Sequence, residues 1–163
     1  MKVMSIDGST KSTGIAIIDN RKLVYYGCLT AISIDPLSRI DDMTAQIIEI
    51  YNKYKPDKII MEDILPTDVG NNQKTFNALH YLQAAVVLAL HRLKAPTVEF
   101  YVASHWRKLI GIKTGRGVKR ETLKQQVMEY IKGEFGIVAN DDICDAIGIG
   151  IAYINENDVL DWS

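Results

Sequence analysis

Two apolar periods divide this chain at Pro36. Before it, "KVMSID", "TGIAIID" and "KLVYYGCLTA" are short apolar, β-branched runs joined by "GSTKS" and "DNRK", which predicts a meander of three antiparallel strands. After it, Ile40, Met43, Ile47, Ile50, Tyr51 and Tyr54 recur at steps of three and four, predicting an amphipathic helix that stops near "KYKPD". "KIIME" is a near-continuous apolar strand ending at Glu62, a pattern expected when both faces of a sheet are covered. Phe76, Leu79, Leu82, Val86, Leu90 and Leu93 then mark a long helix, and "TVEFYVA" a fifth strand. A loop and the helix "VKRETLKQQVMEYIKG" follow, and a last helix begins around "NDDICD", with Asn140 or Asp141 as N-cap. The order β-β-β-α-β-α-β-α-α implies a mixed sheet, antiparallel at the meander and parallel where helical crossovers intervene, with helices on both faces.

At 163 residues the chain has room for one core, so residues 1–163 are expected to form a single domain. Cys28 and Cys144 form no CxxC pair, which suggests neither a disulfide framework nor a zinc site and points to a reducing cytoplasm. The longest apolar runs, "AAVVLAL" and "AIGIGIAYI", fall well short of the roughly 20 residues that span a bilayer. A net charge of −1 by itself argues against nucleic acid, but its distribution is uneven. Arg107, Lys108, Lys113, Arg116, Lys119, Arg120, Lys124 and Lys132 lie in one segment opposed only by Glu121 and Glu129, around the glycine-punctuated "GIKTGRG". Such a run reads either as a solvated helix face or as a phosphate-contacting surface.

The most demanding stretch is "DDICDAIGIG", in which three carboxylates head an apolar run built for burial. On a helix, Asp142 and Asp145 share a face, and the helix dipole recovers only about 0.3–1 kcal/mol per charge of their repulsion. An N-cap role explains Asp141 well and Asp145 poorly. Asp7 and Glu62 each end a strand, where ligand sites of such sheets collect. Taken alone, either acid fits an ordinary turn or strand end; taken with the last helix, four carboxylates from three distant segments can converge. A cluster of hard oxygen donors without His or Cys suits Mg²⁺ or Mn²⁺. Two such ions about 3.5–4 Å apart can support phosphodiester hydrolysis.

"IDGSTKSTG", "IIMED" and "DDICDAIGIG", occurring in that order, resemble the RuvC-type Holliday junction resolvases of the ribonuclease H-like superfamily. The resemblance implies a ribonuclease H-like α/β fold with sheet order 3-2-1-4-5. It also implies a homodimeric, Mg²⁺-dependent endonuclease that nicks opposed strands of four-way DNA junctions, with two ions per site and Mn²⁺ able to substitute. Asp7, Glu62, Asp142 and Asp145 fall on the family's metal-binding acids. Its backbone-contacting cations fall on Arg107 or Lys108 and on Lys119 or Arg120, with Lys119 taken as the catalytic one. Lys113 and Arg116 extend that surface, and the polar loop "TDVGNNQKT" adds Asn72 and Lys74 as DNA contacts. The long helix "FNALHYLQAAVVLALHRL" is the expected dimer interface.

Two departures stand out: Asp7-Gly8-Ser9 replaces the family's Asp-Pro-Gly, and Leu65 replaces an aromatic that helps open the junction centre. Both are departures of the kind met among phage-encoded relatives, and the second points to a broader branched-DNA nuclease. Rival functions are an actin-like or sugar-kinase-type ATP phosphotransferase fragment, suggested by "DGSTKSTG", a non-cutting branched-DNA binding module, and a ribonuclease H or integrase-like enzyme. His80, His91 and Cys144 read as packing or surface residues; His105 and Trp106 read as either DNA-stacking groups or a plug at the edge of the core.

Overall fold

The computed structural model describes residues 1–70 and 72–158; Asn71, in the polar loop, and residues 159–163 lie outside them, although the expected domain includes both. Strands β1 (Lys2–Asp7), β2 (Ser12–Asp19) and β3 (Lys22–Thr30) form the meander. They are followed by α1 (Pro36–Tyr54), β4 (Lys58–Asp63), one 3₁₀ turn (Pro66–Val69), α2 (Gln73–Arg92) and β5 (Val98–Val102). Helices α3 (Ala103–Leu109), α4 (Arg120–Phe135) and α5 (Asp141–Asp158) complete the chain. The sheet order is β3-β2-β1-β4-β5, with β1 antiparallel to β2 and parallel to β4, and β4 parallel to β5.

Alternation along each strand divides the interior into two layers. Met4, Ile6, Ile15, Ile17, Ile59 and Met61 meet α1 and α2, whereas Val3, Ala16, Ile18 and Ile60 meet α3, α4 and α5. Both faces are therefore covered, and the central strands read as unbroken apolar runs for that reason. Local chemistry sets the helix ends. Asp35 accepts from the Ser38 amide with Pro36 in the first turn of α1, and α1 closes on Lys55 in the left-handed region at φ 45°. Asn140, rather than Asp141, caps α5, its Oδ1 taking the Ile143 amide at 3.0 Å.

Three of the differences from the sequence reading bear on the site. β4 runs one residue further, to Asp63, where it still pairs with Val102 of β5. α2 begins at Gln73, a turn ahead of its first apolar residue, because Asn72 supplies the cap at Thr75. The segment after β5 is a seven-residue helix rather than a loop. It is held by tertiary packing: Trp106 is fully buried and Ile110 nearly so, both against α5.

Candidate active site

The alternation that builds the core also aims the acids. In β1, Val3 and Ser5 face α5, and the Ser5 hydroxyl donates to the Ala146 carbonyl at 2.6 Å, so Asp7 leaves the strand on the same side. In β4, Ile60 faces α5, and Glu62 follows it. Ile6 sits beside Met61 across the parallel pair, which brings Asp7 and Glu62 to adjacent strand ends. Opposite Asp7 on β2 is Gly14, where an added Cβ would lie 1.8 Å from the Asp142 carbonyl oxygen. The bare glycine lets the first turn of α5 lie on the sheet beside Asp7.

Asp7, Glu62, Asp142 and Asp145 consequently line one cleft of about 700 Å³, together with Asp68, Asp141, Asn72 and the cations Arg107, Arg120 and Lys124. Glu62, Asp142 and Asp145 each have a distinct support. The Trp106 indole N–H donates to Glu62 Oε2 at 2.7 Å, and the Gln83 amide donates to the Glu62 backbone carbonyl at 3.0 Å. The Ser12 hydroxyl donates to Asp142 Oδ2 at 2.5 Å. Arg107 lies 3.5 Å from Asp145 Oδ2, while Asp145 Oδ1 is buried with no hydrogen-bond partner among the described residues. Lys124 pairs with Asp141, which is thereby engaged at the rim.

Burial, reinforced by the charges of Glu62, Asp145 and Asp142, holds the Asp7 carboxyl well above the ordinary aspartate range. Burial pushes Glu62 up to about 7 against the lowering effect of the Trp106 hydrogen bond. Burial likewise pushes Asp145 up to about 6 despite Arg107. A raised carboxyl pKa means that between about pH 4 and 7 the folded chain binds more protons than the unfolded one, so stability falls as pH rises. Asp35 and Asp141, whose pKa values are lowered by their hydrogen-bonding partners, act in the opposite sense, in a lower window beneath the ordinary aspartate value. In EDTA the melting temperature is therefore expected to drop by several degrees from pH 5 to pH 7.5, and Mg²⁺ should flatten that slope. Calorimetric melts at the two pH values, with and without the ion, check both.

The donor set fits a divalent cation. It consists of hard carboxylate oxygens, it includes one buried oxygen without a partner, and its mutual repulsion is what a cation offsets. Among the described residues no three His, Cys, Asp or Glu side chains close into a ready-made cage. Asp142, Glu62 and Asp145 instead lean on Ser12, Trp106 and Arg107 respectively.

The expected cations distribute unevenly. Arg107 lines the cleft; Lys108 is exposed on α3 and does not. Lys119 stands at the N-cap of α4 with extended backbone (φ −73°, ψ 150°), and of the two candidates it is Arg120, not Lys119, that lines the cleft. Arg120 and Lys124, four apart on α4, share the face that does so. Lys113 and Arg116 are exposed in the loop between α3 and α4. Asn72 caps α2 and lines the cleft, Leu65 stands 41% exposed before the 3₁₀ turn, and Lys74 lines a neighbouring groove with Lys11 and Arg39. His105 pairs with Glu156 at 3.2 Å, and Trp106 plugs the core rather than offering a stacking surface. Ser12, Gly14, Gln83 and the Trp106 contact to Glu62 escaped the sequence reading; a glycine inside the strand "STGIAIID" was the available signal of a close backbone approach.

Residues 3–153 match the family described as crossover junction endodeoxyribonuclease RuvC. The protein of that name from Ehrlichia ruminantium (strain Welgevonden) is 30% identical over 164 residues, covering 94% of this chain and 96% of the relative. That of Fusobacterium nucleatum subsp. nucleatum is 30% identical over 160 residues, covering 95% and 80%. T. thermophilus RuvC, solved in complex with a Holliday junction substrate, superposes with a TM-score of 0.79 at 14% identity, covering 98% of this chain and 96% of that one, which shows the shared ribonuclease H-like fold. Sheet order and a match spanning nearly the whole length agree: this chain belongs to the RuvC family of crossover junction endodeoxyribonucleases.

Proposed function

We propose that this chain, working as one nuclease domain, cuts four-way DNA junctions and other branched DNA by hydrolysing a phosphodiester in the acid-lined cleft. Membership of the family implies a nuclease dependent on a divalent metal. The observation that carries the reading is the convergence of Asp7, Glu62, Asp142 and Asp145 from three separated segments, beside Arg107, Arg120 and Lys124. Those four acids would hold Mg²⁺, two ions per site, with Mn²⁺ as a substitute. Bound divalent ions supply Lewis-acid activation of the attacking water and neutralise charge at the leaving oxygen.

The chain's own groups do the rest. Arg107, Arg120 and Lys124 offer positive charge to the phosphate from within the same cleft as the acids, Arg107 beside Asp145 and Lys124 beside Asp141, and Asn72 offers a side-chain amide at the head of α2. Lys113 and Arg116, exposed beyond the cleft, would meet the backbone of a junction arm, as Lys108, Lys119 and Lys74 would further out. Leu65, exposed beside the cleft, offers an apolar wedge with less surface than an aromatic ring, which favours a broader choice of branched substrates. Paired cuts need two copies. The exposed Tyr81 and Leu88 on α2 support that helix as the interface of a homodimer. Among the described residues no helix is long and apolar enough to cross a membrane, and both cysteines are free, in keeping with work on cytoplasmic DNA.

The test is incubation of the protein with labelled four-way, Y-shaped and linear duplex DNA. We expect Mg²⁺-dependent nicking of the four-way junction, weaker nicking of the Y form and none of the duplex; equal cutting in EDTA contradicts the reading. In the same assay Lys113→Ala/Arg116→Ala should raise KM with kcat unchanged. The variant should also flatten the dependence of log K on log salt by about one to two units, since each phosphate contact contributes a slope of about 0.9.

A further inference from the structure

One buried aromatic touches the acid cluster from behind. Trp106 is fully buried in α3, its ring edge so close to α5 that a Cβ at Gly148 would lie 2.8 Å from its Cζ3. Its indole N–H donates to Glu62 Oε2 at 2.7 Å. The Arg107 guanidinium lies 4.9 Å from the ring centroid and reaches Asp145 Oδ2 at 3.5 Å. A buried indole N–H left without an acceptor is costly, so the geometry fixes Oε2 as its partner and leaves Oε1 as the Glu62 oxygen free of this bond. The same ring backs the arginine that faces Asp145.

We infer that Trp106 is a positioning residue that sets the orientation of the Glu62 carboxylate, and through Arg107 that of Asp145, for divalent cation binding. This rests on the metal-holding reading of the cleft. Groups that hydrogen-bond a metal-ligating side chain fix its orientation, and losing one commonly weakens metal affinity or activity 10- to 100-fold. Trp106 touches no substrate: it is sealed behind the acids. Removing its N–H should therefore leave junction KM unmoved while weakening the site's hold on the cation. Loss of packing alone would lower stability without selecting metal affinity.

The experiment uses Mn²⁺ as the probe, its binding followed by calorimetry and by loss of the free-ion electron paramagnetic resonance signal. Four proteins are compared with the unaltered chain: Trp106→Phe, the benzothienylalanine replacement of Trp106, which keeps the ring shape but has sulfur in place of N–H, Glu62→Gln, and Trp106→Phe in a Glu62→Gln background. The inference expects the benzothienylalanine protein to melt within about 2–3 °C of the original, with a Mn²⁺ Kd weakened roughly tenfold or more. Its kcat should fall with KM constant, and Trp106→Phe should cost clearly less Mn²⁺ affinity in the Glu62→Gln background than in the unaltered chain, the remainder being the part carried through Arg107 and Asp145. A benzothienylalanine protein that binds Mn²⁺ like the original overturns the inference, even if Trp106→Phe fails to fold. So does an additive loss in the double variant. If the unaltered chain itself binds no Mn²⁺, the metal-holding reading fails and this inference with it, an outcome distinct from either of the others.

Discussion

Asp7→Asn and Glu62→Gln each remove nearly all nicking of a four-way junction, by on the order of 10³-fold, while the protein becomes more stable in EDTA. The first number follows from losing several kcal/mol of transition-state stabilisation when a carboxylate can no longer hold a cation. The second follows from burial: desolvation and neighbouring carboxylates disfavour the charged form of both groups, and a neutral amide relieves that cost. Junction binding should persist or tighten, because a negative charge facing phosphate has gone. Rates under single-turnover conditions, melting curves in EDTA and filter-binding isotherms check the three parts. Lost activity together with raised stability is a signature that a merely structural acid would not give.

Gly14→Ala should cost roughly 1–3 kcal/mol and most of the activity, far more than one methyl group on an exposed strand. The new Cβ would meet the Asp142 carbonyl oxygen at 1.8 Å, and backbone cannot rotate aside as a side chain can. α5 must therefore lift from the sheet, carrying Asp142 and Asp145 away from Asp7 and Glu62. A melting temperature lower by roughly 2–4 °C per kcal/mol, with nicking reduced even where the protein is fully folded, is the expected outcome. Gly133→Ala is the control: apart from the backbone of its own helix nothing lies within 4 Å of the added Cβ, and an alanine inside α4 should stabilise by up to about 1 kcal/mol.

Much of this architecture is written in periodicity. The apolar runs of β1, β2 and β4 are continuous because both sheet faces are covered, and α1 carries Ile40, Met43, Ile47 and Tyr51 on the one stripe it buries. The acids were legible for a complementary reason: Asp145 in an apolar helix is too costly to stand unused. What escaped is what has no local pattern. Helix α3 is shorter than any window that displays a period, and it exists because Trp106 fills the space beside Gly148. The hydrogen bonds of Ser12 to Asp142 and Trp106 to Glu62 join residues 130 and 44 apart. Which of Lys119 and Arg120 faces the cleft depends on where α4 begins: Lys119 caps the helix with extended backbone, and Arg120, its first residue, shares a helical face with Lys124.

The central claim is that Asp7, Glu62, Asp142 and Asp145 hold divalent cations together. Its most direct measurement is a Mn²⁺ binding isotherm, read by the free-ion resonance signal, for the unaltered chain and for Asp7→Asn side by side. Saturable binding by the unaltered chain that is lost in Asp7→Asn is the predicted result; superimposable isotherms for the two proteins would contradict it.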